Sequence, residues 1–148
     1  MADLPYRVAE GLYQGAMRYV AERWSEIRGT VDVVLILAHE VEFIPAEYIG
    51  PWKIVFPIPD DPNGLDPDTW ERLRDLVGWI AQAQRRVLTV CHMGENRSGL
   101  ASALLLIERG CCPADAINLV RAAGPAHGGP HLLWNPGFEK QIREIADA

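Results

Sequence analysis

Cys91-His92-Met93-Gly94-Glu95-Asn96-Arg97-Ser98 brings a thiol, a guanidinium and a hydroxyl together in one short run. The run lies between Arg86-Val87-Leu88-Thr89-Val90, which reads as a buried strand, and Gly99 to Arg109, which reads as an apolar helix that Gly110 can end. In an α/β sheet, ligand sites form where the chain leaves the C-terminal end of a strand. The helix that follows aims unpaired N–H groups and the positive end of its dipole at the same place. Gly94 and Gly99 permit the tight curvature that turns successive N–H groups inward, forming an anion-binding nest. The same field favours a thiolate, the nucleophilic form of cysteine. Arg97 supplies a planar fork that grips two phosphate oxygens at once, where a lysine would give only a point charge. A cation in a helix's first turn opposes the dipole, so its presence there asks for an anion. Ser98 can donate its hydroxyl to the sulfur and ease that sulfur's later departure. The segment predicts nucleophilic attack by Cys91 on a phosphate ester, with His92, Met93, Gly94, Glu95, Asn96 and Arg97 lining the substrate.

The elements that must position this loop are legible along the chain. Gly11-Leu12-Tyr13-Gln14-Gly15 reads as a short strand ending at a turn. Arg18 to Arg28 reads as a helix stopped by Gly29. Val31 to Leu37 is β-branched and nearly all apolar, as expected of a strand buried on both faces. Trp52 to Ile58 is a further strand, followed by a Pro/Asp/Gly loop over 59–64. Asp66 before Pro67 starts a helix over Asp68–Gln84, whose Trp70, Leu73, Leu76, Val77 and Ile80 keep helical spacing. Pro113 to Ala123, stopped by Gly124, and Pro136 to Ala146 complete the helices, with a Gly/Pro-rich loop over 124–130. Strands alternating with helices predict a single α/β domain over residues 1–148, with a central, mostly parallel sheet.

Bulk properties narrow the partners. The chain has 148 residues, 49% of them apolar, and a net charge of −6. That acidity disfavours nucleic acid and anionic membrane surfaces. The longest apolar stretches are too short to span a bilayer, and Met1 to Pro5 lacks a secretion signal, so a cytoplasmic protein is expected. Three cysteines without a Cys-x-x-Cys pair predict neither a disulfide framework nor a zinc site, and no cofactor is expected. His127 and His131 lie in the Gly/Pro-rich loop without a carboxylate or thiol partner nearby, and they read as pocket-rim residues rather than ligands. His39, after a strand, reads as structural.

Cys91, Gly94, Arg97 and Ser98 together resemble the signature of the protein tyrosine phosphatase superfamily, in its compact dual-specificity type: Cys, five residues, Arg, then Ser or Thr, with Gly third after the Cys. The resemblance covers most of the chain. Leu12-Tyr13-Gln14-Gly15 is similar to the family's opening strand, and Phe56-Pro57-Ile58-Pro59-Asp60 to the strand that delivers its general acid. Asn135-Pro136-Gly137-Phe138 resembles a late segment that packs beside the phosphate loop. The resemblance implies a metal-free, two-step hydrolysis through a cysteinyl-phosphate, with Asp60 protonating the leaving group. Asp61 competes for that role, but it precedes Pro62 and is suited to shaping a turn. Asn135 is implied as a water-positioning residue, and it can equally cap the last helix. Implied substrates are phosphotyrosine, phosphoserine or phosphothreonine in proteins, or a small non-protein phosphate ester. Glu95 on the rim, with no Lys in the loop, argues against polyphosphorylated head groups. A disulfide between Cys91 and Cys111 or Cys112 is also within the family's repertoire.

The chain departs from the family at one place. Val90 stands where a histidine usually precedes the cysteine and braces the loop, and His92 lies on the other side. Three rival readings follow. A low-molecular-weight tyrosine phosphatase would put its loop after the first strand and its acid near the C-terminus. A rhodanese-like enzyme would lack the upstream acid. A phosphate-recognising binding module would usually have lost the Cys, the Arg or the acid, all of which are present here. Pocket depth, and with it substrate choice, is expected to depend on Gly15–Tyr19, Phe43–Pro51 and Gly124–Pro130. Oligomeric state is open.

Overall fold

A computed structural model describes residues 5–39, 48 and 50–146. Most of the Phe43–Pro51 segment, and Met1 to Leu4, lie outside the described residues. Five strands, β1 (Tyr6–Ala9), β2 (Leu12–Ala16), β3 (Val33–Ile36), β4 (Trp52–Val55) and β5 (Val87–Cys91), form one sheet in the order β1-β2-β5-β3-β4. β2, β5, β3 and β4 are mutually parallel, and β1 is antiparallel to β2. All five residues of β5 are buried, as a central parallel strand covered on both faces requires.

The helices are α1 (Met17–Glu22), α2 (Trp24–Ile27), α3 (Pro67–Gln82), α4 (Arg97–Glu108), α5 (Pro113–Ala126) and α6 (Pro136–Arg143). α4 is the hub. It packs on β5 and β2 and touches α3, α5 and α6. Every residue from Ser98 to Leu106 is buried, which explains a sequence apolar all round rather than along one stripe. Each fully buried leucine there, such as Leu100 or Leu104, contributes roughly 1.5–3 kcal/mol to the fold.

Several boundaries differ from the sequence expectation. The predicted Arg18–Arg28 helix is two short helices broken at Arg23, whose φ of −114° and ψ of 21° leave the helical region. The break lets Met17 and Val20 on one piece, and Trp24 and Ile27 on the other, all reach the core. β4 stops at Val55 instead of Ile58, although Phe56 and Ile58 still donate to Ile36 and Leu37, with Pro57 placed on the outer edge where no neighbour needs its N–H. Gly124 does not end α5, which runs on to Ala126. It serves close approach instead: a Cβ there would collide with the Pro130 carbonyl. β1 was not predicted; only its alternation, with Tyr6 and Val8 inward, signals it. α4 begins two residues earlier than predicted, so Arg97 is itself the first helical residue.

Candidate active site

Cys91 ends β5, and its register neighbour on β2 is Ala16. The chain then turns through His92–Asn96 and enters α4 at Arg97. Gly94 makes the turn possible: its φ is +71°, and a Cβ would stand 2.5 Å from the Ala16 nitrogen and 2.6 Å from the Gly15 carbonyl carbon. The loop is therefore pressed directly onto the end of β2.

Its polar groups are sorted by direction. The Gly94 carbonyl accepts from Gln14 Nε2 at 2.9 Å, and the Glu95 carbonyl accepts from Gln14 Nε2 at 3.3 Å and from the Leu133 N–H at 3.2 Å. The Asn96 carbonyl accepts from the Leu100 N–H, as the first turn of α4 requires. Among the described residues, no acceptor engages the backbone N–H groups of 93–97. Carbonyls tied outward and N–H groups left over are the arrangement of an anion nest at a helix N-terminus. Arg97 is half-buried, and no side chain or carbonyl among the described residues pairs with its guanidinium. Cys91 is buried, and its sulfur lies 3.2 Å from Ser98 Oγ. Thr89 Oγ1 and Ser102 Oγ, 2.8 Å apart, tie β5 to α4 one turn further in.

Asp60 reaches this loop through two amides. Asn96 Nδ2 donates to its Oδ2 at 3.2 Å, and Asn135 Nδ2 donates to its Oδ1 at 2.7 Å. Asp61 is spent otherwise: its Oδ1 accepts from the Asn63 N–H at 2.8 Å, and its carbonyl accepts from Asn135 Nδ2 and the Gly64 N–H. Asp60 is thus the aspartate bonded to the loop residue Asn96, while Asp61 shapes the turn. Gln141 of α6 fixes the next residues, exchanging two hydrogen bonds with the Leu65 backbone at 2.9 and 2.8 Å.

Asn135 caps the last helix and also bonds the loop aspartate. Its Nδ2 holds Asp60, while its Oδ1 caps α6 by accepting from the Phe138 N–H at 3.0 Å, a contact worth about 1 kcal/mol. Asn96, expected to line the substrate, turns its side chain inward. It is 3% exposed, and its Oδ1 accepts from the N–H groups of Trp134 and Asn135 at 2.9 Å each. His92 and Met93 are exposed, and with Ala16, Tyr6, Tyr19 and Pro130 they border a mostly apolar recess of about 470 Å³ beside the loop. Glu95, also on that recess, accepts from Trp134 Nε1 at 2.9 Å. Burial, with the Glu95 charge adding to it, raises the Tyr6 phenol above its ordinary pKa.

Two further expectations can be placed. The His127 ring bonds the Ala123 carbonyl through Nδ1 at 2.8 Å, and among the described residues no three His, Cys, Asp or Glu groups gather as a metal site would require. Cys111 and Cys112 follow the far end of α4, whose 12 residues span ~18 Å, well beyond disulfide reach of Cys91. All three cysteines are free. Burial, then the neighbouring Asp115 and Cys112, raises the Cys111 thiol.

Sequence reasoning gave no role to Gln14 or Leu133. A lone glutamine in an otherwise apolar strand was the signal for Gln14, which is fully buried. Leu133 carries none: it adopts a positive φ of 54°, held by its N–H on Glu95 and its carbonyl on Arg121 Nε.

No sequence-family model matches the chain, and no curated protein matches it by sequence. Solved structures do match in shape. A mouse protein assigned as a dual specificity phosphatase and solved with zinc tungstate is 22% identical, with a TM-score of 0.73, covering 97% of this chain and 87% of its own. Human DUSP28 is 23% identical with a TM-score of 0.71, covering 96% and 93%. Tk-PTP in its active form is 22% identical with a TM-score of 0.68, covering 95% and 97%. With its parallel sheet, its loop between β5 and α4 and this match over nearly the whole length, the chain has the fold of the compact dual-specificity phosphatases.

Proposed function

We propose that this protein hydrolyses phosphate monoesters through a cysteinyl-phosphate intermediate, acting on phosphotyrosine, phosphoserine or phosphothreonine in proteins. The observation that carries the reading is the sorted loop: carbonyls bonded to Gln14 and Leu133, backbone N–H groups and an Arg97 guanidinium with no acceptor among the described residues, and Cys91 beside Ser98. The structural neighbours that bear phosphatase names support the same chemistry.

In the first step the Cys91 thiolate forms a bond to phosphorus while the bond to the leaving oxygen breaks. The equatorial oxygens are held by the N–H groups of the loop and by the Arg97 fork. Asp60, in its acid form, gives its proton to the leaving oxygen, since an alkoxide or phenoxide leaves poorly without one. In the second step water attacks phosphorus, the S–P bond breaks with the electron pair returning to sulfur, and Asp60 takes the water's proton. Ser98 donates to the departing sulfur. Asn96 and Asn135 keep the Asp60 carboxyl at the loop through both steps. The mostly apolar recess beside Met93, which carries Arg18 as well as Glu95, suits a substrate with an apolar or aromatic flank.

Phosphate release from a panel of aryl, alkyl and peptide phosphates tests the reading. The wild type is expected to turn over, and Cys91→Ser to release nothing while still binding inorganic phosphate or tungstate. Binding of every ester by the wild type without release would instead identify a phosphate-recognising module. Undiminished release by Cys91→Ser would refute the nucleophile.

A further inference from the structure

We infer that Gln14 is the residue that holds the phosphate loop in its anion-binding shape, taking over from β2 the bracing role for which the strand residue before Cys91 is unsuited. The inference rests on the phosphate site proposed above.

Val90 offers no polar atom. It is fully buried, and its backbone carbonyl is already spent on the Leu37 N–H at 2.8 Å. The loop must therefore be fixed from elsewhere. Gln14 lies on the neighbouring strand, in register with Thr89, and is fully buried. Its one amide nitrogen serves two successive loop carbonyls, Gly94 at 2.9 Å and Glu95 at 3.3 Å.

The consequence follows from peptide geometry. In a trans peptide the C=O and the following N–H point to opposite sides of the chain. Drawing the Gly94 carbonyl toward Gln14 turns the Glu95 N–H away from it, and drawing the Glu95 carbonyl does the same to the Asn96 N–H. One buried side chain thereby aims two of the nest's donors. Leu133 assists at the Glu95 carbonyl, but Gln14 is the side-chain donor to Gly94. The arrangement has a cost that a purely structural residue would not carry: Gln14 Oε1 is buried with no hydrogen-bond partner among the described residues. A leucine would fill this apolar site without leaving an acceptor unpaired. Keeping a glutamine here is explained by what its nitrogen does for the loop.

Gln14 touches neither substrate nor sulfur in this account; it is a positioning residue. Its test uses the full chain with three variants: Gln14→Leu, Gln14→Glu and the double variant Gln14→Leu/Val90→His. The readouts are affinity for inorganic phosphate and tungstate by calorimetry, the alkylation rate of Cys91 by iodoacetamide, kcat and KM for an aryl phosphate, and melting temperature. Gln14→Leu is expected to melt no lower than the wild type, to bind oxyanions about 10-fold more weakly and to lose about 10- to 100-fold in kcat/KM, the scale of a small misplacement in a catalytic site. Gln14→Glu keeps the shape but loses the donors, and should fall at least as far. Restoring a polar brace at position 90 in the double variant should recover part of the loss. If Gln14→Leu fails to fold, Gln14→Met supplies the same test with the side chain's length kept. Oxyanion affinity and Cys91 alkylation unchanged in a folded Gln14→Leu would overturn the inference. Gln14-dependent oxyanion binding in a protein that hydrolyses no ester would uphold it while refuting the proposed hydrolysis, and a wild type that binds no oxyanion would refute both.

Discussion

One arginine lies on either side of β5 in the chain, Arg86 directly before it and Arg97 beyond the loop that follows it, and the two live differently. At the N-terminal end, Arg86 is fully answered: Asp32 accepts from its backbone N–H at 2.9 Å, its Nε at 3.1 Å and its Nη2 at 3.0 Å. At the C-terminal end, Arg97 is half-buried with no partner among the described residues, beside a row of unclaimed N–H groups. The first arrangement closes its own charges and ties β3 to β5. The second gathers positive potential and leaves it open to an anion. The same residue type thus serves the fold where its donors are spent at home and serves chemistry where they are not.

Substitutions at the two ends should separate these roles. The largest effect is expected at the open end. Arg97→Lys keeps the charge but loses the fork, and should cut kcat/KM by about 10²- to 10³-fold with little change in melting temperature, as steady-state kinetics and calorimetry would show. A loss under threefold would mean that Arg97 does not grip the substrate. Next comes the acid. Asp60→Asn should slow alkyl phosphates by about 10²-fold but a good aryl leaving group by only a few fold, giving a steeper dependence of kcat on leaving-group pKa. Asp61→Asn should leave that dependence flat; the opposite pattern would transfer the role to Asp61. Smaller still is the tether. Asn96→Asp keeps the acceptor for the Trp134 and Asn135 N–H groups but loses the donor to Asp60, placing two carboxylates together. It should steepen the leaving-group dependence by less than Asp60→Asn does, and speed amide exchange over residues 57–61. Unchanged exchange there would show that Asn96 does not hold the acid.

The smallest effect on activity belongs to the closed end. Arg86's hydrogen bonds hold the Asp32 carboxyl down to about 2 from an ordinary 3.8. Its folded pKa is depressed, so the pair's stabilisation is present above about pH 4 and is lost as pH falls through 2. Asp32→Asn should lower the melting temperature at pH 7 by a few degrees, about 2–4 °C, leave kcat within twofold, and shrink the difference from wild type as pH drops below 4. A difference that persists at pH 2 would contradict the assignment.

Much of this contrast was legible beforehand, for physical reasons. The run Val87 to Val90, short, apolar and β-branched, reads as a buried strand and is one, and the Cys–Arg–Ser run falls in the loop between that strand and an apolar helix as the sequence places it. The place of Asp60 beside the loop was legible by resemblance, and Asn135's helix cap from its position before Pro136. What stayed hidden depends on contacts distant in sequence. Gln14 meets Gly94 across 80 positions, and Asn96 meets Trp134 across 38, so no local pattern announces either bond. Gly124 read as a helix stop because a glycine near a helix end usually is one; the crowding by Pro130 that actually requires it is tertiary. Leu133 with its positive φ defies propensity outright, and only the bonds on its two sides hold it there.

The central claim is that the sulfur at the end of β5 becomes covalently bonded to phosphorus. Rapid acid quench of the wild type with a radiolabelled aryl phosphate, followed by peptide mapping, tests it most directly. The account predicts label on the peptide containing Cys91 within the first turnover, accumulating in Asp60→Asn with a good leaving group and absent from Cys91→Ser. Phosphate released over many turnovers with no label on any cysteine peptide would contradict it.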